Sequence, residues 1–202
     1  MPMAATDGYW NHNTAYHPWL LKLARRDGHA LDVGCGDGLL AQRLVTVCRT
    51  VTALDPDSAA LTRARERVGA ETRISLQNCS FDEFEPGDSR FDLITFVASL
   101  HHMDLRTTLQ RAGDLLAPGG TIAVVGLSAN TSVGDWLISA LSLPAVRLGS
   151  PWHREQPDIG VVVADPRESL SEIRRVAGDV LPGVTIRRAL YYRYLMRWTL
   201  SD

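Results

Sequence analysis

Two acids and a pair of histidines carry the chemistry that can be read from this chain. Asp32 stands two positions before Gly34, the first of three alternating glycines (Gly34, Gly36, Gly38), near the end of an apolar run. A second apolar run, 51–54, is closed by Asp55. An acid roughly 20 residues past a glycine-rich turn is the spacing of a nucleoside-binding βαβ unit. The glycines let the backbone turn tightly and come close to a ligand. The acid at the end of the second strand can accept hydrogen bonds from both ribose hydroxyls. Further along, His101 and His102 follow the apolar run 91–97. An imidazole titrates near neutral pH, so a histidine at that place can serve as a general base.

The dinucleotide fingerprint is G-x-G-x-x-G, with a pyrophosphate on the first turn of the helix. Here the third glycine comes one position early, and Leu39 takes the last place of the pattern. Asp32 and Asp37 also bring carboxylates to the loop. Two anions repel a pyrophosphate and favour a ligand with a free ammonium. S-adenosylmethionine (SAM) has an ammonium, a sulfonium and an adenosine with both ribose hydroxyls free. A nicotinamide oxidoreductase is the less favoured alternative.

Residues 30–127 resemble the core of class I SAM-dependent methyltransferases of the small-molecule type. Leu31 to Gly38 is similar to the family's first motif, and 53–57 to its second-strand acid. Residues 91–96 with Leu100-His101-His102 resemble the fourth strand and its exit, and 115–121 the turn before the fifth strand. The resemblance implies SAM as cofactor, S-adenosylhomocysteine (SAH) as product, and a set of roles. Asp32 would hold the α-ammonium, Asp55 the ribose hydroxyls, and the loop Gly34, Gly36, Asp37, Gly38 would approach the ligand. Pro56 would flank the adenine, and Val97 would line the site at the fourth strand's end. The family usually offers Asp or Glu to the adenine amino group at the end of the third strand; Ser80 stands there, beside the Phe81 amide. Asp82 could substitute if the loop shifts.

The elements that must position these residues follow from periodicity. Strand-like runs near 30–34, 50–54, 73–77, 91–97 and 121–127 alternate with amphipathic helical patterns beginning at Leu39, Ala59 and Leu105. Ser58 and Asp104 are the expected N-caps of the second and third, and Pro118-Gly119-Gly120 the expected stop of the third. Such alternation predicts an α/β, doubly wound, Rossmann-like sheet, mostly parallel, with helices on both faces. Glu168–Ala177 reads as one more helix. Residues 185–190 and 191–199 read as an antiparallel hairpin that brings the sheet to seven strands, with little room for a turn. The whole chain, 1–202, is expected to be one domain: an N-terminal helical flap (1–29), the core (30–127), a lid insertion (128–168), and a C-terminal helix with strands (169–202).

The flap offers Tyr16 and His17 to the methionine end of SAM, or packs as a helix over one sheet edge. Trp10 from the flap and Trp136, Trp152 and His153 from the lid are expected to meet the acceptor, together with His102. Among the bases His102 comes first, then His101, with His17 and His153 as further candidates. The arginine groups 63–67, 174–175 and 187–188 read as solvated surface.

Composition narrows the function classes. A net charge of −2 and a pI near 6.3 give no general attraction to phosphate backbones, so nucleic acid is not expected as a partner. Three cysteines and six histidines show no metal spacing, and no metal is expected. No apolar run reaches the length of a membrane span, so no membrane partner is expected. A reducing cytoplasm fits the cysteine usage. Lys22 is the only lysine, which hints at a GC-rich bacterial genome. The expected function is methyl transfer to a small, largely apolar or aromatic acceptor in bacterial secondary metabolism, by a monomer or homodimer. Oxygen is favoured over nitrogen and carbon because of the histidine pair. The alternative is a SAM-binding protein of this fold that rearranges, eliminates or only binds.

Overall fold

The computed structural model describes residues 11–129, 166–190 and 193–201. The apolar runs become strands, those at the centre of the sheet buried on both faces as a parallel sheet between two helix layers requires. They are β1 (His29–Val33), β2 (Thr50–Leu54), β3 (Ile74–Gln77), β4 (Phe91–Val97) and β5 (Leu116–Leu127). Two more, β6 (Thr185–Arg188) and β7 (Arg193–Thr199), follow near the C-terminus. Among the described residues they form one seven-stranded sheet in the order β3-β2-β1-β4-β5-β7-β6. The first five run parallel, and β7 lies antiparallel between β5 and β6. The winding reverses between β1 and β4, so the ligand crevice of such a sheet opens beyond Val33 and Val97.

Helices α1 (His17–Leu23), α2 (Leu39–Leu44) and α3 (Ser58–Val68) cover one face. Leu20, Leu40, Leu44, Leu61 and Ala64 pack there with Ala30, Leu93 and Val125. Helices α4 (Leu105–Asp114) and α5 (Leu170–Val180) cover the other face. Leu109, Ala112, Ile173 and Ala177 pack there with Leu31, Ile94, Phe96 and Val124. Among the described residues no helix is long and apolar enough to cross a membrane.

Several local expectations shift. The N-cap of α3 is Asp57, whose carboxylate accepts from the Ala59 amide at 2.8 Å, so Ser58 is already the first helical residue. Asp104 does cap α4, accepting from the Thr107 amide at 2.9 Å. α4 ends at Asp114, ahead of the Pro-Gly-Gly run. β5 begins at Leu116 rather than 121, because Leu116 pairs with Phe91 before the register shifts near Leu93. Gly120 is required there, since a Cβ would sit 2.7 Å from the Phe91 carbonyl oxygen. α5 starts at Leu170 behind the Ser169 cap, and both strands of the final hairpin are shorter than expected, β6 ending at Arg188 and β7 beginning at Arg193. α1 packs beside α2, with Leu20 in the same buried cluster as Leu93 and Val125. Between β3 and β4 the described chain has no helix. Instead Arg111 of α4 donates to the Phe81 carbonyl at 3.1 Å and to the Phe84 carbonyl, which pins that crossover to the α4 face.

Candidate active site

The crevice has two ends, and the one at β1 and β2 is built from hydrogen bonds. The amides of Gly34 and Cys35 both donate to the Leu54 carbonyl at 2.9 Å, which ties the glycine loop to the end of β2. Asp55 is next in the chain. One of its carboxylate oxygens accepts from the Gly36 amide at 2.8 Å and the other from the Asp57 amide at 2.9 Å. Asn78 donates to the carbonyls of Asp55 and Pro56, both at 3.0 Å. A carboxylate offers about four lone-pair positions, so this one is fixed in place with accepting capacity left over for a ligand.

Asp32 is 1% exposed and lies on the α1–α3 side of β1. The Thr95 hydroxyl of β4 lies 2.8 Å from its Oδ1 and donates to it when the carboxyl is ionised. Its Oδ2 is enclosed and has no hydrogen-bond partner among the described residues. Burial pushes the Asp32 carboxyl up to about 7; the Thr95 hydrogen bond opposes this and the Asp55 charge adds to it. A sealed carboxylate oxygen with no donor is costly. An ammonium, direct or through one water, is the kind of group that completes it. The residues at this end therefore fit SAM: an orphan acceptor for the amino-acid end and a fixed carboxylate for the ribose.

Other expected loop roles change. The Asp37 carboxylate is not an unmatched anion, because Arg67 of α3 donates to it at 2.7 Å and to its carbonyl at 3.0 Å. Arg67 is thus part-buried and engaged rather than a solvated surface charge. The three glycines divide their work. Gly34, at φ +73°, lies against Ser99, where a Cβ would come within 2.5 Å. Gly38, at φ +76°, seats α2 against Ala64 and Val68 of α3. Gly36 alone faces open space, at φ +55°.

Ser80 is engaged within its own turn, with one hydroxyl lone pair left over. Its hydroxyl donates to Glu83 at 2.8 Å and accepts from the Glu83 amide at 3.3 Å, a local capping arrangement. The Phe81 ring is 2% exposed and meets Phe96 edge-on at 5.6 Å between centroids. The flap residues are also engaged elsewhere. The Tyr16 hydroxyl donates to the Leu190 carbonyl at 2.6 Å, and Arg193 donates to Asn13 at 3.0 Å, so the N-terminal segment is strapped to Leu190 and the start of β7. His17 is buried beside Arg43 at 3.0 Å. Burial, reinforced by the Arg43 cation, pushes its imidazole down to about 3, which removes it as a base near neutral pH.

The other end lies where β4 leaves the sheet. Val97 pairs with Val125, and the Ala98 amide donates to the Val125 carbonyl at 2.8 Å. Ala98 then takes φ +52°, a left-handed conformation that L-residues rarely adopt and that clusters at functional sites. The Ser99 hydroxyl donates to the Val33 carbonyl at 2.6 Å, so this exit is clamped to the glycine loop. A 3-10 turn, Leu100–His102, follows. His101 is half-buried and His102 exposed, with ring centroids 4.1 Å apart. On the same sheet face the Tyr194 ring folds over Gly126, where any Cβ would overlap it. The Tyr194 hydroxyl bonds to none of the described residues. Burial, with a smaller contribution from Glu168, pushes its phenol up, so it stays a donor. Trp10, Trp136, Trp152, His153 and most of the expected lid lie outside the described residues.

Sequence reasoning missed the supporting set: Thr95, Ser99, Asn78, Arg67, Arg111 and Tyr194. Only Asn78, a polar side chain directly after β3, stood at a place where a signal could have been sought.

Residues 30–120 match the family model described as a methyltransferase domain. The chain is 36% identical over 197 residues to an uncharacterized methyltransferase of Mycobacterium tuberculosis, covering 95% of this chain and 98% of that one. It is 26% identical over 177 residues to a ubiquinone biosynthesis O-methyltransferase of Rhodopseudomonas palustris, covering 85% of this chain and 65% of the relative. Its fold is similar to that of N-methyltransferase NodS from Bradyrhizobium japonicum in complex with SAH. That match has a TM-score of 0.64 at 19% identity, covering 95% of this chain and 89% of that one.

Proposed function

This chain belongs to the class I SAM-dependent methyltransferases, and we propose that its acceptor is a small, largely apolar or aromatic molecule methylated at oxygen before nitrogen or carbon. SAM supplies a methyl group already activated on a sulfonium. The chain's own residues therefore have to align two molecules and keep water out, with a base only where the acceptor must lose a proton. On this reading Asp55 holds the ribose hydroxyls, Asp32 the ammonium, and Gly36 lets the loop backbone come close. The acceptor lies beyond β4 and β5, on the α4 face, with the Tyr194 hydroxyl as a fixed donor.

The observation that carries oxygen as the target is His102. It is exposed on the turn directly after β4, so it can take a phenolic proton and pass it to water. The R. palustris relative, an O-methyltransferase by name, supports this reading. NodS, an N-methyltransferase by name, supports nitrogen as the second reading, in which no base is needed. A bacterial secondary metabolite is the proposed acceptor class, in keeping with the arginine-biased composition.

The test is transfer of tritiated methyl from SAM to a panel of simple phenols and primary amines. Label on the phenols alone is the expected result. Label on the amines alone moves the reading to nitrogen. No label, with SAM tightly bound, favours a member of the family that no longer methylates.

A further inference from the structure

We propose that Asp32 and Thr95 form a proton-exchanging receptor for the ammonium of SAM: Asp32 is protonated in the free protein, and the docking ammonium displaces that proton to solvent. The proposal rests on the reading that the amino-acid end of SAM lies against Asp32. Thr95 is a positioning residue in it.

The geometry supplies both states. Thr95 is fully buried, and its hydroxyl sits 2.8 Å from Asp32 Oδ1 and 3.4 Å from the Leu31 carbonyl oxygen. A hydroxyl has one proton and can also accept. In the free protein Asp32 Oδ1–H donates to Thr95, which turns its own proton to Leu31. In the bound protein Thr95 donates to Oδ1, and Oδ2 receives the ammonium. The proton lost from Oδ1 goes to solvent, so one cation arrives and one proton leaves.

The surroundings favour the neutral acid until a cation comes. Asp55, at the end of β2, is the charge that acts on Asp32, and it is negative. In the glycine loop, burial with Asp32 and Asp55 pushes the Cys35 thiol up, so it adds no charge, and Asp37 is matched by Arg67. On α1 and α2, His17 is uncharged and Arg43 is turned to it. Thr95 is the group that β4 presents. Burial accordingly raises the Asp32 carboxyl to about 7 in the free protein.

The sign follows by linkage. A group that binds its proton more tightly in the free state opposes ligand binding as the pH falls through its free value. SAH carries the same ammonium and cannot transfer a methyl, so it is the probe. Calorimetric titration of SAH in buffers of different ionisation enthalpy should show close to one proton released per SAH near pH 6. Release should vanish above about pH 8, and affinity should rise about tenfold per pH unit below neutrality. Asp32→Asn should bind SAH more weakly, release no proton and show a flat pH profile. Thr95→Ser should behave as wild type. Thr95→Val should move the midpoint of the profile to higher pH, a change that a merely structural role would not produce.

Wild-type SAH affinity that is constant from pH 5.5 to 8, with no proton release, overturns the proposal. If Asp32→Asn still weakens binding in that case, the ammonium reading survives and only the proton exchange is lost. If a folded Asp32→Asn protein binds SAH like wild type, the ammonium reading fails with it.

Discussion

The two ends of the crevice are built on different terms. At the β1–β2 end nearly every polar group is held by another. Asp55 is held by the Gly36 and Asp57 amides, Pro56 by Asn78, Asp37 by Arg67 and Asp32 by Thr95. At the β4–β5 end the chain leaves through Ala98 at φ +52° into a single turn that exposes His102. The Tyr194 hydroxyl there meets no described partner. The difference matches what each end has to recognise. A ligand common to a whole family rewards a rigid prebuilt receptor, because fixed donors and acceptors need no reorganisation on binding. An acceptor that differs from enzyme to enzyme is left to loops and exposed side chains.

The comparison can be broken by substitutions that ought to affect one end only. The largest effect is expected at the acceptor end. With a phenolic acceptor, His102→Ala should lower kcat by about 10²–10⁴-fold near pH 7, the usual contribution of a positioned base. The loss should shrink as pH rises and the phenolate forms unaided, while SAH affinity stays as in wild type. Steady-state rates across pH with His101→Ala as control would show it; a wild-type kcat in His102→Ala would take the base out of the mechanism.

A smaller effect is expected from the support of the cofactor end. Asn78→Ala removes the two hydrogen bonds that hold the Asp55–Pro56 corner, at a cost of about 1 kcal/mol each. SAH binding measured by calorimetry should weaken several-fold, with the acceptor's KM unmoved. The smallest effect sharpens the view of the β4 exit. Ala98→Gly relieves a left-handed alanine, a strain of about 1–2 kcal/mol that the lost chain entropy of glycine partly offsets. Thermal unfolding should then show a Tm unchanged or raised by about 2–4 °C. A marked fall in Tm would mean that the alanine methyl packs in a way the strain argument ignores.

How much of this was legible in the sequence follows the same division. Strands buried on both faces read as short continuous apolar runs bounded by turn residues, so the parallel strands and Asp32, Gly34 and Asp55 could be placed from the residues alone. The hydrogen-bonding partners could not, because Thr95 and Ser99 are more than 60 positions from the groups they hold and only the sheet brings them together. The match of Asp37 was hidden for the same reason: it is Arg67, thirty positions on and in α3. The partner of Ser80 is local: Glu83, three positions on, engages its hydroxyl within one turn. Ala98 gives no signal at all, as alanine is not the residue type that announces a left-handed turn. Tyr194 is legible only once β7 is known to lie beside β5, which places its ring over Gly126.

The most direct measurement is SAH binding to wild-type protein, Asp55→Ala and His102→Ala, titrated side by side by calorimetry. Removing the Asp55 carboxylate takes away a charged acceptor of the ribose hydroxyls and should weaken SAH by about 1–3 kcal/mol, or roughly 5- to 150-fold. His102→Ala should bind SAH as wild type does. Near-native SAH affinity in a folded Asp55→Ala protein, or an equal loss in both variants, would contradict the assignment of one end of the crevice to the cofactor and the other to the acceptor.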